Sequence, residues 1–422
     1  MAATATPSHR FLRHATFLTL ILVLLAALNA RLHGQTLTTI YQLTGGADGL
    51  FPTGVIMDRA GNLYGTAVRD GIGTGPCEQF GGCGTVFRLS YHGSWTFSLL
   101  YSFTGGGDGV YPTPPTFGPD GSLYGSTSFG GAGPCGYDWG CGIIYRLQPP
   151  ATFCRSTSCP WTETILHRFR ATDGSNPNPP VFDGAGNIYG TSGRGGILQG
   201  CGGLGCGNIF QLVHSGGNWT ENVLYEFSGG NDGALPPGGV VLDRAGNLYG
   251  LTSYSEPYQC GTAFELTNSG QSWTLTTLYA FDPQIGDGCQ PSAAPIFDTS
   301  GNLYGASLGN SLGAGAVFQL VPGQGSWTEN VLHLFPADAQ SADSPLILDS
   351  QGNLYGTTYT AGEYGCGSVY KLTPSNGGWI YTSLHDFNGL GDGCNPVGPI
   401  SMDSQGNIYG SNYSGSIWKL TP

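Results

Sequence analysis

Val55-Ile56-Met57-Asp58-Arg59-Ala60-Gly61-Asn62-Leu63-Tyr64-Gly65-Thr66 decides the fold. A short apolar run ends in an acid, a Gly-Asn pair turns the chain, and a second short run begins. This is the pattern of two strands joined by a tight turn. The motif or a close variant recurs seven times, with its tyrosine at Tyr64, Tyr124, Tyr189, Tyr249, Tyr304, Tyr355 and Tyr409, spaced 51 to 65 residues apart.

Two more segments follow in the first six repeats and one in the seventh, so we name the four a to d. Segment c alternates as Val86-Phe87-Arg88-Leu89, Ile209-Phe210-Gln211-Leu212 or Val369-Tyr370-Lys371-Leu372. Segment d begins near Trp-Thr and ends Leu-aromatic-x-Phe, as in Trp273 through Phe281. Four-stranded units that cannot bury both faces alone must pack side by side. The chain is therefore expected to be all-β: a seven-bladed β-propeller with four-stranded antiparallel blades, forming a single domain over residues 35–422.

The seventh copy lacks segment d, and residues 36–43 resemble one. The ring is expected to close by pairing this N-terminal strand with the last blade. An open solenoid would need caps that the sequence does not supply.

Residues 1–34 read as a signal peptide: Arg10, Arg13 and His14 precede an apolar run from Ala15 to Leu28. An uncleaved anchor is the alternative. Cleavage removes Arg10, Arg13 and Arg31 and no acid, taking the net charge from −13 to −16. That balance disfavours nucleic acid and anionic membrane as partners. The expected location is secreted, periplasmic or at the cell surface, as a monomer without a membrane span.

The repeat resembles that of the GloVer-type tandem-repeat proteins of bacteria, built around Gly-Asn-Leu-Tyr-Gly-Thr, and the likeness runs over the whole chain after the leader. It implies an exported β-propeller without assigning a reaction. The covalent surface anchoring frequent in that family is not expected here, because the sequence ends at Pro422 straight after the last strand. The Asp-x-x-Gly-Asn-Leu-Tyr turn is also similar to turns in NHL-type and streptogramin-lyase-like propellers.

The repeats allow structural residues to be separated from candidates. Asp58, Asp120, Asp183, Asp243, Asp298, Asp349 and Asp403 stand at the a–b turn, where an aspartate accepts backbone hydrogen bonds. Asp48, Asp108, Asp173, Asp232, Asp287 and Asp392 recur between d and a, with Asp343 in the sixth repeat. They are expected to face the channel, either as plain Asp-Gly turns or as a rim holding Ca²⁺; no other cofactor is expected. His167, His333 and His385 take the slot held elsewhere by Tyr101, Tyr225 and Tyr279 and read as aromatic substitutes. The repeated tyrosines and tryptophans read as packing between blades.

The unequal b–c loops remain, with Arg69, Asp70, Glu78, Asp138, Trp139, Arg194, Glu256, Tyr258, Glu363 and Tyr364 as candidate ligand contacts. No catalytic residues stand out.

Twelve cysteines in an exported chain read as disulfides. The spacing predicts Cys77–Cys83, Cys135–Cys141, Cys154–Cys159, Cys201–Cys206, Cys260–Cys289 and Cys366–Cys394, the last two tying a b–c loop to the next d–a loop. The function expected is a module that binds a glycan or protein through the b–c and d–a loops. The alternative is a lyase or hydrolase with a divalent metal at the channel mouth.

Overall fold

A computed structural model describes residues 35–422, except 73–76, 78–80, 132–134, 136–139, 151–160, 199–200, 257–258, 271, 311–312 and 337–343. The leader, Glu78, Asp138, Trp139, Tyr258, Asp343 and the Cys154–Cys159 pair lie outside the described residues.

Seven antiparallel sheets form the blades of a β-propeller. In blade 1 the order a to d is Leu50–Met57, Leu63–Arg69, Thr85–Tyr91 and Trp95–Ser102. Blade 7 runs Pro396–Met402, Ile408–Asn412, Ser416–Thr421, and then Thr36–Gln42 as its outer strand. Thr36 pairs with Thr421 and Gln42 with Ser416, so the ring closes through the chain's first strand as the sequence predicts. Among the described residues, no helix is long and apolar enough to cross a membrane.

The core is divided among the seams. Seven clusters of buried residues each join residues of two neighbouring blades. In six seams the Phe that ends segment d meets the aromatic of segment c in the next blade. The pairs are Phe103–Tyr145, Phe169–Phe210, Phe227–Phe264, Phe281–Phe318, Phe335–Tyr370 and Phe387–Trp418, with ring centroids 4.9 to 5.6 Å apart. Leu43 serves the seventh seam beside Phe87. Such a pair contributes about 0.5–1.5 kcal/mol beyond its buried area.

The c-strand aromatics also explain why the motif ends in glycine. Each lies opposite that glycine in the b–c ladder, as Gly250 lies opposite Phe264 and Gly410 opposite Trp418. A Cβ on Gly250 would come 2.4 Å from the Phe264 ring. The ring occupies the space a side chain would need.

The motif tyrosines and segment-d tryptophans pack across the same seams, as expected. Tyr64 meets Trp161, Tyr189 meets Trp273, and Tyr304 meets Trp379.

At the a–b turn, Asp183 Oδ1 accepts the backbone N–H groups of Ala185 and Asn187, while Oδ2 accepts the Asn187 amide and the Tyr189 hydroxyl. Burial opposes its ionisation, but these hydrogen bonds outweigh it and hold the carboxyl below the usual aspartate value. Blade 2 departs from the expected register. Gly118 takes the backbone slot of Asp183, and Asp120 stands two residues later. Asp120 still accepts from the Ser122 N–H and the Tyr124 hydroxyl, and it pairs with Arg146. The contact is kept by a different residue position, which the four-residue interval from Asp120 to Tyr124, against six elsewhere, already signals.

Candidate functional site

In an antiparallel blade the b–c and d–a loops emerge at the same end, so seven of each form one face around the axis. The d–a loops share a pattern, Asp-Gly-x-Z-Pro, where Z is Phe51, Tyr111, Asn176, Leu235, Gln290 or Asn395. All six Z residues have positive φ, between 54° and 60°. Non-glycine residues rarely adopt this backbone, and a following proline disfavours it further. Six repetitions therefore require a common restraint.

That restraint comes from the preceding blade. The N–H groups of Tyr111, Asn176, Leu235, Gln290 and Asn395 donate to the carbonyls of Cys83, Cys141, Cys206, Cys260 and Cys366, at 2.7 to 3.1 Å. Each of these cysteines is in a disulfide. Cys77–Cys83, Cys135–Cys141, Cys201–Cys206, Cys260–Cys289 and Cys366–Cys394 all form as predicted. At these five positions the bridges hold the carbonyls and the carbonyls restrain the left-handed residues. One backbone conformation thus presents five kinds of side chain at six equivalent positions of the d–a loops.

The channel itself holds about 530 Å³ and draws its lining from all seven blades. Every blade but the fifth contributes proline, two each from blade 2 (Pro114, Pro115) and blade 3 (Pro179, Pro180) and one each from the others (Pro52, Pro237, Pro345, Pro399), while blade 5 offers Ala293 and Ala294. Ile56, Val181 and Val240 deepen the apolar wall, and among the described residues no charged residue or histidine is in the lining.

On one side of the mouth a row of rings crosses three blades. Tyr413 of blade 7 stacks on Phe51 at 4.3 Å between centroids. The Arg69 guanidinium lies 5.5 Å from the Phe51 ring and 6.0 Å from that of Tyr111 in blade 2. Tyr111 meets Phe129 edge-on at 5.9 Å. Arg69 is exposed and Tyr413 is 44% exposed.

The structure thus brings one of the sequence candidates, Arg69, into the row. Asp70 follows it with φ 60°, its N–H donating to the Gly81 carbonyl. Arg194 lies opposite Ser175 in blade 3. Glu256 accepts the Tyr254 hydroxyl at 2.7 Å, and Glu363 and Tyr364 are exposed in the blade 6 loop. These candidates are spread over separate blades. Sequence reasoning missed Phe51, Tyr111 and Tyr413; the Z-Pro pair after each Asp-Gly is the signal that finds the first two.

The d–a aspartates mainly brace their own loops. Asp48 accepts the Thr44 N–H and hydroxyl and the Tyr41 hydroxyl. Asp108 takes the Thr104 N–H and Tyr101, Asp232 the Ser228 N–H and Tyr225, and Asp287 the Asp282 N–H and Tyr279. Asp392 binds the Asn388 and Gly389 N–H groups and His385. The histidines thus do occupy the tyrosine slot. Among the described residues the one three-member cluster with metal-ligand geometry contains Asp173 alone of the six.

Three further acids, Glu163, Glu221 and Glu329, point from segment d into the preceding seam. Burial, followed by the Asp108 charge, pushes Glu163 up to about 7, with the Tyr101 hydrogen bond acting in opposition. Burial and then Asp287 raise Glu329 in the same direction. Both acids hold a proton more tightly folded than unfolded, so their ionisation costs stability as pH rises from about 4.5 through about 8. The melting temperature is expected to fall by several degrees over that interval. A Glu163→Gln/Glu329→Gln double variant should lose most of this slope; an unchanged slope in calorimetric scans would place the titration elsewhere.

Sequence and fold comparisons agree with this architecture. The profile of the Gloeobacter/Verrucomicrobia repeat matches residues 72–307 and 236–419. No curated protein matches the chain. Among solved structures, a streptogramin B lyase is similar at 13% identity and TM-score 0.55, over 92% of this chain and 97% of that one. PorZ, a surface component of the type-IX secretion system of Porphyromonas gingivalis, is similar at 13% identity and TM-score 0.51, over 87% of this chain and 46% of that one. At these identities the likeness concerns the fold.

Proposed function

The chain belongs to the Gloeobacter/Verrucomicrobia repeat family, and from that premise we propose that it is an exported recognition module, binding a neutral glycan or protein segment through its b–c and d–a loop face. The observation that carries this reading is the ring of pre-proline residues held in left-handed backbone around an apolar channel. Strain repeated at a loop face and restrained by disulfides is the signature of a pre-organised site.

Four features support the reading. The row Tyr413–Phe51–Arg69–Tyr111 offers aromatic surface and one cation, which suits sugar faces or peptide side chains. Exposed large apolar residues also stand on b–c and d–a loops of several blades, including Ile72, Ile285, Tyr364 and Leu390, the last 91% exposed. The uncharged lining favours binding over acid–base chemistry within the channel. Five disulfides suit an oxidising compartment, consistent with residues 1–34 acting as an export signal.

The test starts from a neutral-glycan array and a displayed peptide library. The tightest ligand is then titrated against Phe51→Ala, Tyr413→Ala and Arg69→Ala proteins. At least one should lose about 10- to 100-fold in affinity, the range of a central aromatic or arginine contact. Losses under about twofold in all three would remove the row from the binding site.

A further inference from the structure

The seam between blades 2 and 3 differs from the other six in one respect. His167 on segment d of blade 2 (Thr162–Arg168), Asp173 in the following d–a loop, and Glu221 on segment d of blade 3 (Asn218–Glu226) converge there. One ligand atom from each lies within 4.8 Å of the others. His167 Nε2 is 3.5 Å from Asp173 Oδ2.

The repeats provide internal controls. At the seam of blades 1 and 2, Tyr101 fills the histidine slot, and its hydroxyl lies 3.2 Å from Asp108 Oδ2 and 3.1 Å from Glu163 Oε2. At the seam of blades 4 and 5, Tyr279 donates to Asp287 at 2.6 Å, with Glu329 nearby. Where blade 6 meets blade 7, His385 contacts Asp392 at 3.0 Å, and Leu37 takes the glutamate position. His333 of blade 5 stacks instead on Tyr381 of blade 6, at 4.1 Å. Among the described residues, only the seam of blades 2 and 3 combines an imidazole with both carboxylates.

Its hydrogen bonds are also incomplete. His167 Nε2 and Glu221 Oε1 are both shielded from solvent without a hydrogen-bond partner; Glu163 Oε1 and Glu329 Oε1 in the comparison seams share the glutamate's condition, so the imidazole nitrogen is what sets this seam apart. A tyrosine bridges two carboxylates by donating toward them, but the imidazole here makes no such bond. Buried polar atoms left in this state are costly unless something satisfies them.

We propose that His167, Asp173 and Glu221 form a Zn²⁺ site that clamps blade 2 to blade 3. One imidazole nitrogen and two carboxylate oxygens are a donor set suited to zinc, with water completing four-coordination. Ca²⁺ prefers six to eight oxygen donors and would gain little from the imidazole. The site lies on the outer strands rather than in the channel, so its expected role is to hold the seam and not to act on a ligand. It does not depend on the recognition reading above.

The experiment uses the untagged, metal-stripped protein, titrated calorimetrically with Zn²⁺ and melted with and without EDTA. The expected result is one equivalent bound and an EDTA-reversible rise in melting temperature. His167→Tyr, which recreates the arrangement of Tyr101, should fold and melt normally without metal yet lose the stoichiometric binding. Glu221→Gln should weaken it at least about tenfold. Co²⁺ substituted at the site should give visible d–d absorption that disappears in His167→Tyr. No stoichiometric Zn²⁺ in the parent protein, or binding undiminished in His167→Tyr, overturns the site.

Discussion

Deleting Thr36–Gln42 should abolish cooperative folding of the ring. The strand is the fourth of blade 7, and its removal bares the edge of Ser416–Thr421, whose backbone groups then have no partners on one side. It also withdraws Ile40 and Tyr41 from the seam with blade 1 and Leu37 from the seam with blade 6. All three are partly buried, so roughly 5–9 kcal/mol, the figure for three fully buried apolar side chains, is an upper bound on their contribution. Even a part of that, added to the lost strand pairing, is a large share of the stability of an ordinary domain, about 5–15 kcal/mol. Size-exclusion chromatography and urea melts of the truncated protein should show aggregates or a broad, early transition. A peptide spanning residues 35–43, added in trans, should restore part of the midpoint. A truncated protein that stays monomeric with an unchanged midpoint would mean the closure contributes little.

Phe264→Ala should destabilise by about 3–5 kcal/mol, the range for removing a buried aromatic. Phe264 is fully buried, packs edge-on to Phe227 across the seam of blades 3 and 4, and covers Gly250. Gly250→Val attacks the same contact from the opposite strand, since its side chain must displace the ring. The two lesions should not add. With Phe264 already cut to alanine, a valine at position 250 fills vacated space, and the double variant should be more stable than the sum of the singles predicts. A double-mutant cycle in denaturant measures this coupling. Strict additivity would show that the ring and the glycine do not compete for one volume.

The fold was legible because each repeat writes its strands in the same register. The Asp-x-x-Gly-Asn turn, the Phe that ends segment d and the spare strand at residues 36–43 all report local or sequential relations. The five described disulfides follow from the same logic, since their cysteines fall in loops that repetition places together. The candidate site was less legible. Its residues come from loops that differ between blades, and what unites Tyr413, Phe51, Arg69 and Tyr111 is adjacency across three blades and the closing seam. Phe51 and Tyr111 hid within a pattern whose aspartate drew attention first. Glu163, Glu221 and Glu329 escaped because their slot on segment d holds a glutamate in only three blades. Leucine or an aromatic fills it elsewhere, so the repeat gives it no consistent chemistry. Asp120 shows the limit of motif alignment, since its contact survived a two-residue shift.

The recognition surface can be located directly by hydrogen–deuterium exchange. Exchange would be compared for the protein alone and saturated with a hit from the glycan array, for instance cellohexaose, or with a selected peptide. The account predicts slowed exchange in the d–a loops at Leu50–Thr53 and Val110–Thr113 and around Tyr413, with no change at the a–b turns on the opposite face. Protection confined to those a–b turns, or to the outer segment-d strands, would contradict it.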